Sequence, residues 1–65
     1  MMVVRIRKGR YVAHGTRIKD DTGSSARIII EYDPETHMWY AYDYFSGQSV
    51  CDSERTLREI KERLS

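Results

Sequence analysis

Residues 27–44 read RIIIEYDPETHMWYAYDY, and this stretch decides the fold. Ala26–Tyr32 is rich in β-branched residues, the composition of a strand. Asp33-Pro34-Glu35-Thr36 predicts a type I turn with proline at its second position, where the fixed φ of the ring fits. Met38–Tyr44 then predicts an aromatic strand. If the loop is Pro34–His37, Asp33 pairs with Met38, Ile30 faces Ala41 and Tyr32 faces Trp39. Side chains alternate along each strand, so this register sorts them into two faces. One face collects Ile28, Ile30, Tyr32, Trp39 and Ala41. The other collects Arg27, Ile29, Glu31, Tyr40, Tyr42 and Tyr44.

Working outward from this hairpin, Met2–Arg7 alternates as a further strand and Lys8-Gly9 reads as its turn. Tyr11–Ile18 is rich in strand formers, with Gly15 marking a bulge. A two-residue turn at Lys8-Gly9 would place Arg5, Arg7, Arg10, Val12 and His14 on the face that holds the tyrosines. Lys19–Ser25 is a polar loop, and Val50-Cys51 adds a short extended piece. The chain ends in a helix. Ser53 or Thr56 caps it, and Thr56 with Glu59 matches a capping box. Leu57, Ile60 and Leu64 form one apolar stripe. Glu54 with Arg58 and Glu59 with Arg63 have the spacing of helical ion pairs. So short a helix needs a sheet to lie on. The expectation is one α+β domain over residues 1–65. It combines a basic hairpin at 2–18 with a sheet-and-helix core at 26–64, in which three or four antiparallel strands carry a C-terminal helix on one face.

Charge is unevenly distributed. Residues 1–19 carry six basic side chains and no acid, whereas residues 20–65 carry ten acids and five bases, so the net +1 joins a +6 segment to a −5 segment. A local field of this kind attracts an acidic protein surface or a phosphate backbone. Cations on an edge strand also prevent sheets from adding to one another.

The other residues bound the function classes. At 40% hydrophobic and 32% charged, the chain has a globular composition rather than a disordered one. No apolar run approaches the ~20 residues of a membrane span. The N-terminus lacks the core of a secretory signal, which points to the cytosol of a cell or of a cell hosting a virus. Cys51 is the single cysteine and forms no internal disulfide. His14, His37 and Cys51 match no metal-ligand spacing, so no metal and no cofactor is expected. Phosphate-binding and zinc-hydrolase motifs are absent from the sequence. Cys51 with either histidine lacks an orienting third group, and catalysis is not expected.

Tyr40, Tyr42 and Tyr44 alternate along one strand beside Arg27 and the arginines of the basic hairpin. Three readings of this row stand side by side. It is a cross-strand ladder that stabilises the sheet, a hot spot for a protein partner, or a stacking platform for unpaired bases. The expected partner-binding residues are Arg5, Arg7, Arg10, Arg27, Tyr40, Tyr42 and Tyr44. The leading expectation is a non-enzymatic regulatory or inhibitory protein that binds an acidic protein surface. The alternative is a nucleic-acid-binding module. An exposed edge and an aromatic face also leave room for a homodimer.

The stretch Arg27–Leu64 resembles the core of the HicB-like antitoxin domain, through IIIEYDPE, MWYAYDY, SGQ and the Thr56-Leu57-Arg58-Glu59 helix start. The resemblance implies a sheet-plus-helix fold and stoichiometric masking of a partner. Phe45-Ser46-Gly47 lacks the proline-rich loop usual in that family, and the 65 residues include no DNA-binding segment after the helix. The resemblance therefore implies no DNA-binding domain here. Trp39-Tyr40-Ala41 before a terminal helix is also similar to the arm-binding domains of phage integrases, which use their sheet on DNA.

Overall fold

The computed structural model describes residues 1–65. Strands β1 (Met2–Arg7), β2 (Arg10–His14), β3 (Ile28–Asp33) and β4 (Met38–Asp43) are followed by helix α1 (Leu57–Leu64). The strands form one antiparallel sheet in the order β1-β2-β3-β4, so neighbours in sequence are neighbours in space. The protein is a small α+β fold.

The β3–β4 hairpin has the expected register, with Asp33 opposite Met38, Tyr32 opposite Trp39 and Ile30 opposite Ala41. Its turn is held locally. Asp33 Oδ1 accepts the Glu35 amide at 2.9 Å, and the Asp33 carbonyl accepts the His37 amide at 2.9 Å. His37 closes the turn at φ 57°, a left-handed conformation that histidine tolerates better than most residues.

The first hairpin departs from expectation. Lys8-Gly9 does make a two-residue turn between Arg7 and Arg10, with Gly9 at φ 77°. However, the register shifts between Arg5 and Arg7, so that Arg5 lies opposite Tyr11 and Val4 opposite Val12. The bulge is therefore in β1 and not at Gly15, where β2 has already ended at His14. One extra residue reverses the facing of everything before it. Arg5 moves to the face of Tyr11 and Ile30, and Val4 and Met2 join the face of Val12 and Ile29.

The core fills the face that carries the helix. Ala13, Ala26, Ile28, Ile30, Ala41, Ile60 and Leu64 are buried together, and Val3, Tyr11, Ile18, Trp39, Val50, Cys51 and Leu57 pack around them. The small Ala41 lets α1 approach β4. Thr56 caps the helix, its hydroxyl accepting the Glu59 amide at 3.2 Å and donating to the Glu59 carboxylate at 2.9 Å. The other end is tied to the loop after β2. The Leu64 carbonyl accepts the Arg17 amide at 2.9 Å, and the Arg63 carbonyl accepts Arg17 Nε at 2.6 Å. A cation at a helix C-terminus also suits the helix dipole. The expected pairs Glu54–Arg58 and Glu59–Arg63 do not form. Glu54 lies outside the helix, bridged to Trp39, and its carboxylate takes Arg63 at 2.6 Å; Arg58 pairs instead with Glu62 at 3.4 Å.

Residues 49–54 run along the outer edge of β4. Ser49 bridges Tyr42, the Val50 amide donates to the Ala41 carbonyl, and Glu54 exchanges two backbone bonds with Trp39. β4 is thus covered, whereas β1 pairs only with β2.

Candidate functional site

The sheet face opposite the helix is the candidate interface. Its seven expected residues form two clusters and one outlier.

The first cluster is a polar network at the turn end of the sheet. Arg10 and Glu31 are cross-strand partners, and Tyr42 lies diagonally next to Glu31 on β4. Arg10 Nη1 donates to Glu31 Oε2 at 2.9 Å, and Arg7 approaches the same oxygen at 3.5 Å. The Tyr42 hydroxyl donates to Glu31 Oε1 at 2.8 Å, with Arg10 Nη1 at 3.5 Å from that hydroxyl. Burial works against the Glu31 charge. The Tyr42 hydroxyl and the Arg10 guanidinium together outweigh it and hold the carboxyl below its ordinary value. Burial and the Glu31 carboxylate push the Tyr42 phenol up, although Arg10 opposes them. The hydrogen bond that Arg10 donates to Glu31 raises the guanidinium further. Tyr40 is adjacent, and its hydroxyl is 3.1 Å from that of Thr36 in the turn. A groove of about 500 Å³ runs beside Tyr40 and Tyr42 toward Gly47 and Ser49.

The second cluster sits at the opposite end. Arg27 lies over two rings, 5.2 Å from the Tyr44 centroid and 5.6 Å from that of Phe45. The rings pack edge to face at 5.0 Å. Tyr44 is 47% exposed and Phe45 79%. The turn that presents Phe45 is built by Asp43, whose Oδ1 accepts the amides of Phe45 at 2.8 Å and Ser46 at 2.9 Å. Those amides, led by that of Ser46, draw the Asp43 carboxyl below its ordinary value.

Between the clusters the face is apolar. Ile29 is buried there, with Val12 and Tyr42 as its cross-strand partners. Met2 and Val4 extend this strip to the β1 edge. The outlier is Arg5, which the β1 bulge turns to the helix side, where it stays exposed at the sheet margin.

Two functional candidates were not among the expected seven. Glu31 was placed on the correct face by the hairpin register, and its position opposite Arg10 is the signal that ties it to the basic strand. Phe45 follows Asp43 in a turn, and Asp-x-Phe spacing in a turn is too common to single it out. The basic segment is also less bare than its sequence implies, because Glu31 supplies from β3 the acid that residues 1–19 lack. His14 closes β2 at one end of the sheet, whereas His37 is in the turn at the other. Cys51 packs beside the core, and burial raises its thiol above the ordinary value.

No family model, curated protein or solved structure matches this chain. No helix is long and apolar enough to cross a membrane.

Proposed function

We propose that this protein is a non-enzymatic regulatory or inhibitory domain that binds an acidic protein surface stoichiometrically through the uncovered sheet face. The observation that supports this reading is the Arg27–Tyr44–Phe45 corner. A guanidinium, a tyrosine and a largely exposed phenylalanine pack together there beside a turn hydrogen-bonded to Asp43. Tyrosine and arginine are the residues that dominate protein hot spots, and a pre-stacked cluster loses little side-chain entropy on binding. The cation favours a carboxylate-bearing partner. In the first cluster, Arg7 and Arg10 are already engaged by Glu31, which leaves them less available to phosphates than their sequence suggests.

The test is isolation of the partner from the native host with and without nuclease, followed by calorimetry on the purified complex. The expected result is a nuclease-resistant complex of one-to-one stoichiometry. Phe45→Ala should weaken it by about 2 kcal/mol or more. Affinity that falls steeply and linearly with the logarithm of salt, and a complex lost to nuclease, would instead identify a nucleic-acid partner.

A further inference from the structure

The sheet is closed on one side and open on the other. Residues 49–54 bond to β4 and shield its edge, but nothing pairs with the outer edge of β1. An edge strand presents a row of unpaired amides and carbonyls that another extended chain can complete. Three of the six β1 residues are exposed apolar side chains: Met2 at 62%, Val4 at 45% and Ile6 at 53%. The cations beside them are largely unspent. Arg5 and Lys8 have no acidic partner, and Arg7 stays 65% exposed despite its contact with Glu31.

From this pattern we infer that β1 is a docking edge for an extended acidic segment of the partner, in which Glu or Asp alternates with β-branched residues. The inference rests on the proposed protein-binding function and names how the partner attaches. Main-chain hydrogen bonds supply the attachment. Met2 and Val4 offer an apolar strip to one side of the added strand, and Arg5, with Lys8 in the neighbouring turn, selects its charge. The same cations reject a second copy of this chain. Two β1 strands paired antiparallel would bring four cations onto one ladder, Arg5 and Arg7 from each copy, with no acid on β1 to offset them. The register shift between Arg5 and Arg7 breaks the regular ladder, so the added strand would pair with Met2–Arg5.

The experiment is an NMR titration of the full chain with a short, end-capped peptide of alternating glutamate and valine. Two control peptides accompany it, one with lysine in place of glutamate and one N-methylated at alternate residues. Saturable shifts confined to residues 2–7, with slowed exchange of alternate β1 amides, are expected for the acidic peptide alone. The Arg5→Glu variant alters an exposed side chain and should keep its fold. It should reverse the preference between the glutamate and lysine peptides by about tenfold or more. Equal binding of the N-methylated or lysine peptide, or self-association of the wild type through β1, overturns the inference. Shifts confined to Tyr42, Tyr44 and Phe45 overturn the edge and leave the face reading in force. Binding at neither place also overturns the edge, and the face reading then depends on the Phe45→Ala calorimetry.

Discussion

Glu31 Oε1 accepts the Tyr42 hydroxyl at 2.8 Å, while the second oxygen of the same carboxylate takes Arg10 at 2.9 Å. One glutamate on the central strand β3 therefore links β2, β3 and β4 across the uncovered face. It also reaches β1 through Arg7. Two of the expected binding arginines and one of the expected binding tyrosines are thus parts of the sheet's own scaffold. The side chains free to meet a partner lie to either side of this network.

Glu31→Gln should release Arg7 and Arg10 from their shared charge. Because the carboxylate is still about one-third exposed, at 32%, the loss of stability should be about 1 kcal/mol. Binding to a polyanion such as heparin should rise at the same time. Chemical denaturation and heparin affinity measured on one variant check both, and unchanged heparin affinity would show that Glu31 does not restrain the arginines.

Stability should fall at both ends of the pH scale. The Glu31 carboxyl is held below its ordinary value of 4.5, so its contribution is fully present above that pH and is lost as pH falls through the lower folded value. Asp20 and Asp43, also lowered, act in the same direction. The Tyr42 phenol is raised above 10.0, so its contribution is present below that pH and is lost as pH rises through the higher folded value. Melting curves across pH should show a shallower acid limb for Glu31→Gln and a shallower alkaline limb for Tyr42→Phe. Limbs identical to wild type would remove the network from the account.

The helix stripe should not be uniform. Ile60 and Leu64 are fully buried, and Leu57 only partly. Ile60→Ala or Leu64→Ala should cost about 2–4 kcal/mol, enough to unfold a chain this small under mild conditions. Leu57→Ala should cost less. Equal, small losses at all three positions, measured by urea denaturation, would mean that the helix is not docked.

The tyrosine row should separate from Phe45. Phe45→Ala removes an exposed ring and should change stability by no more than about 0.5 kcal/mol while weakening partner binding. Tyr42→Ala breaks the Glu31 network and should lower the melting temperature. If Phe45→Ala leaves affinity intact, the aromatic corner is not the contact.

Cys51→Ser should leave partner affinity unchanged and cost a modest amount of stability, because the thiol packs against the core rather than facing the interface. Loss of binding with the fold intact would assign the thiol a role.

The hairpin of residues 28–43, the helix cap at Thr56 and the face that receives the helix were legible in the sequence. Each depends on information carried within a few residues: a Pro-bearing turn of fixed length, alternation with period two, and a Thr-x-x-Glu start. Tyr40 and Tyr42 were placed on the uncovered face for the same reason, whereas Tyr44, expected in the strand, lies in the turn just past its end. Only the tertiary structure decided the direction of Arg5, the partner of Glu54 and the charge balance of the basic strands. A β1 bulge leaves no clear mark in Met2–Arg7, yet it reverses the facing of Met2, Val4 and Arg5. Glu54 meets Arg63 because an extended segment closes the β4 edge before the helix begins. Glu31 pairs with Arg10 and approaches Arg7 from more than twenty residues away, since strand pairing sets distances in space that sequence separation does not.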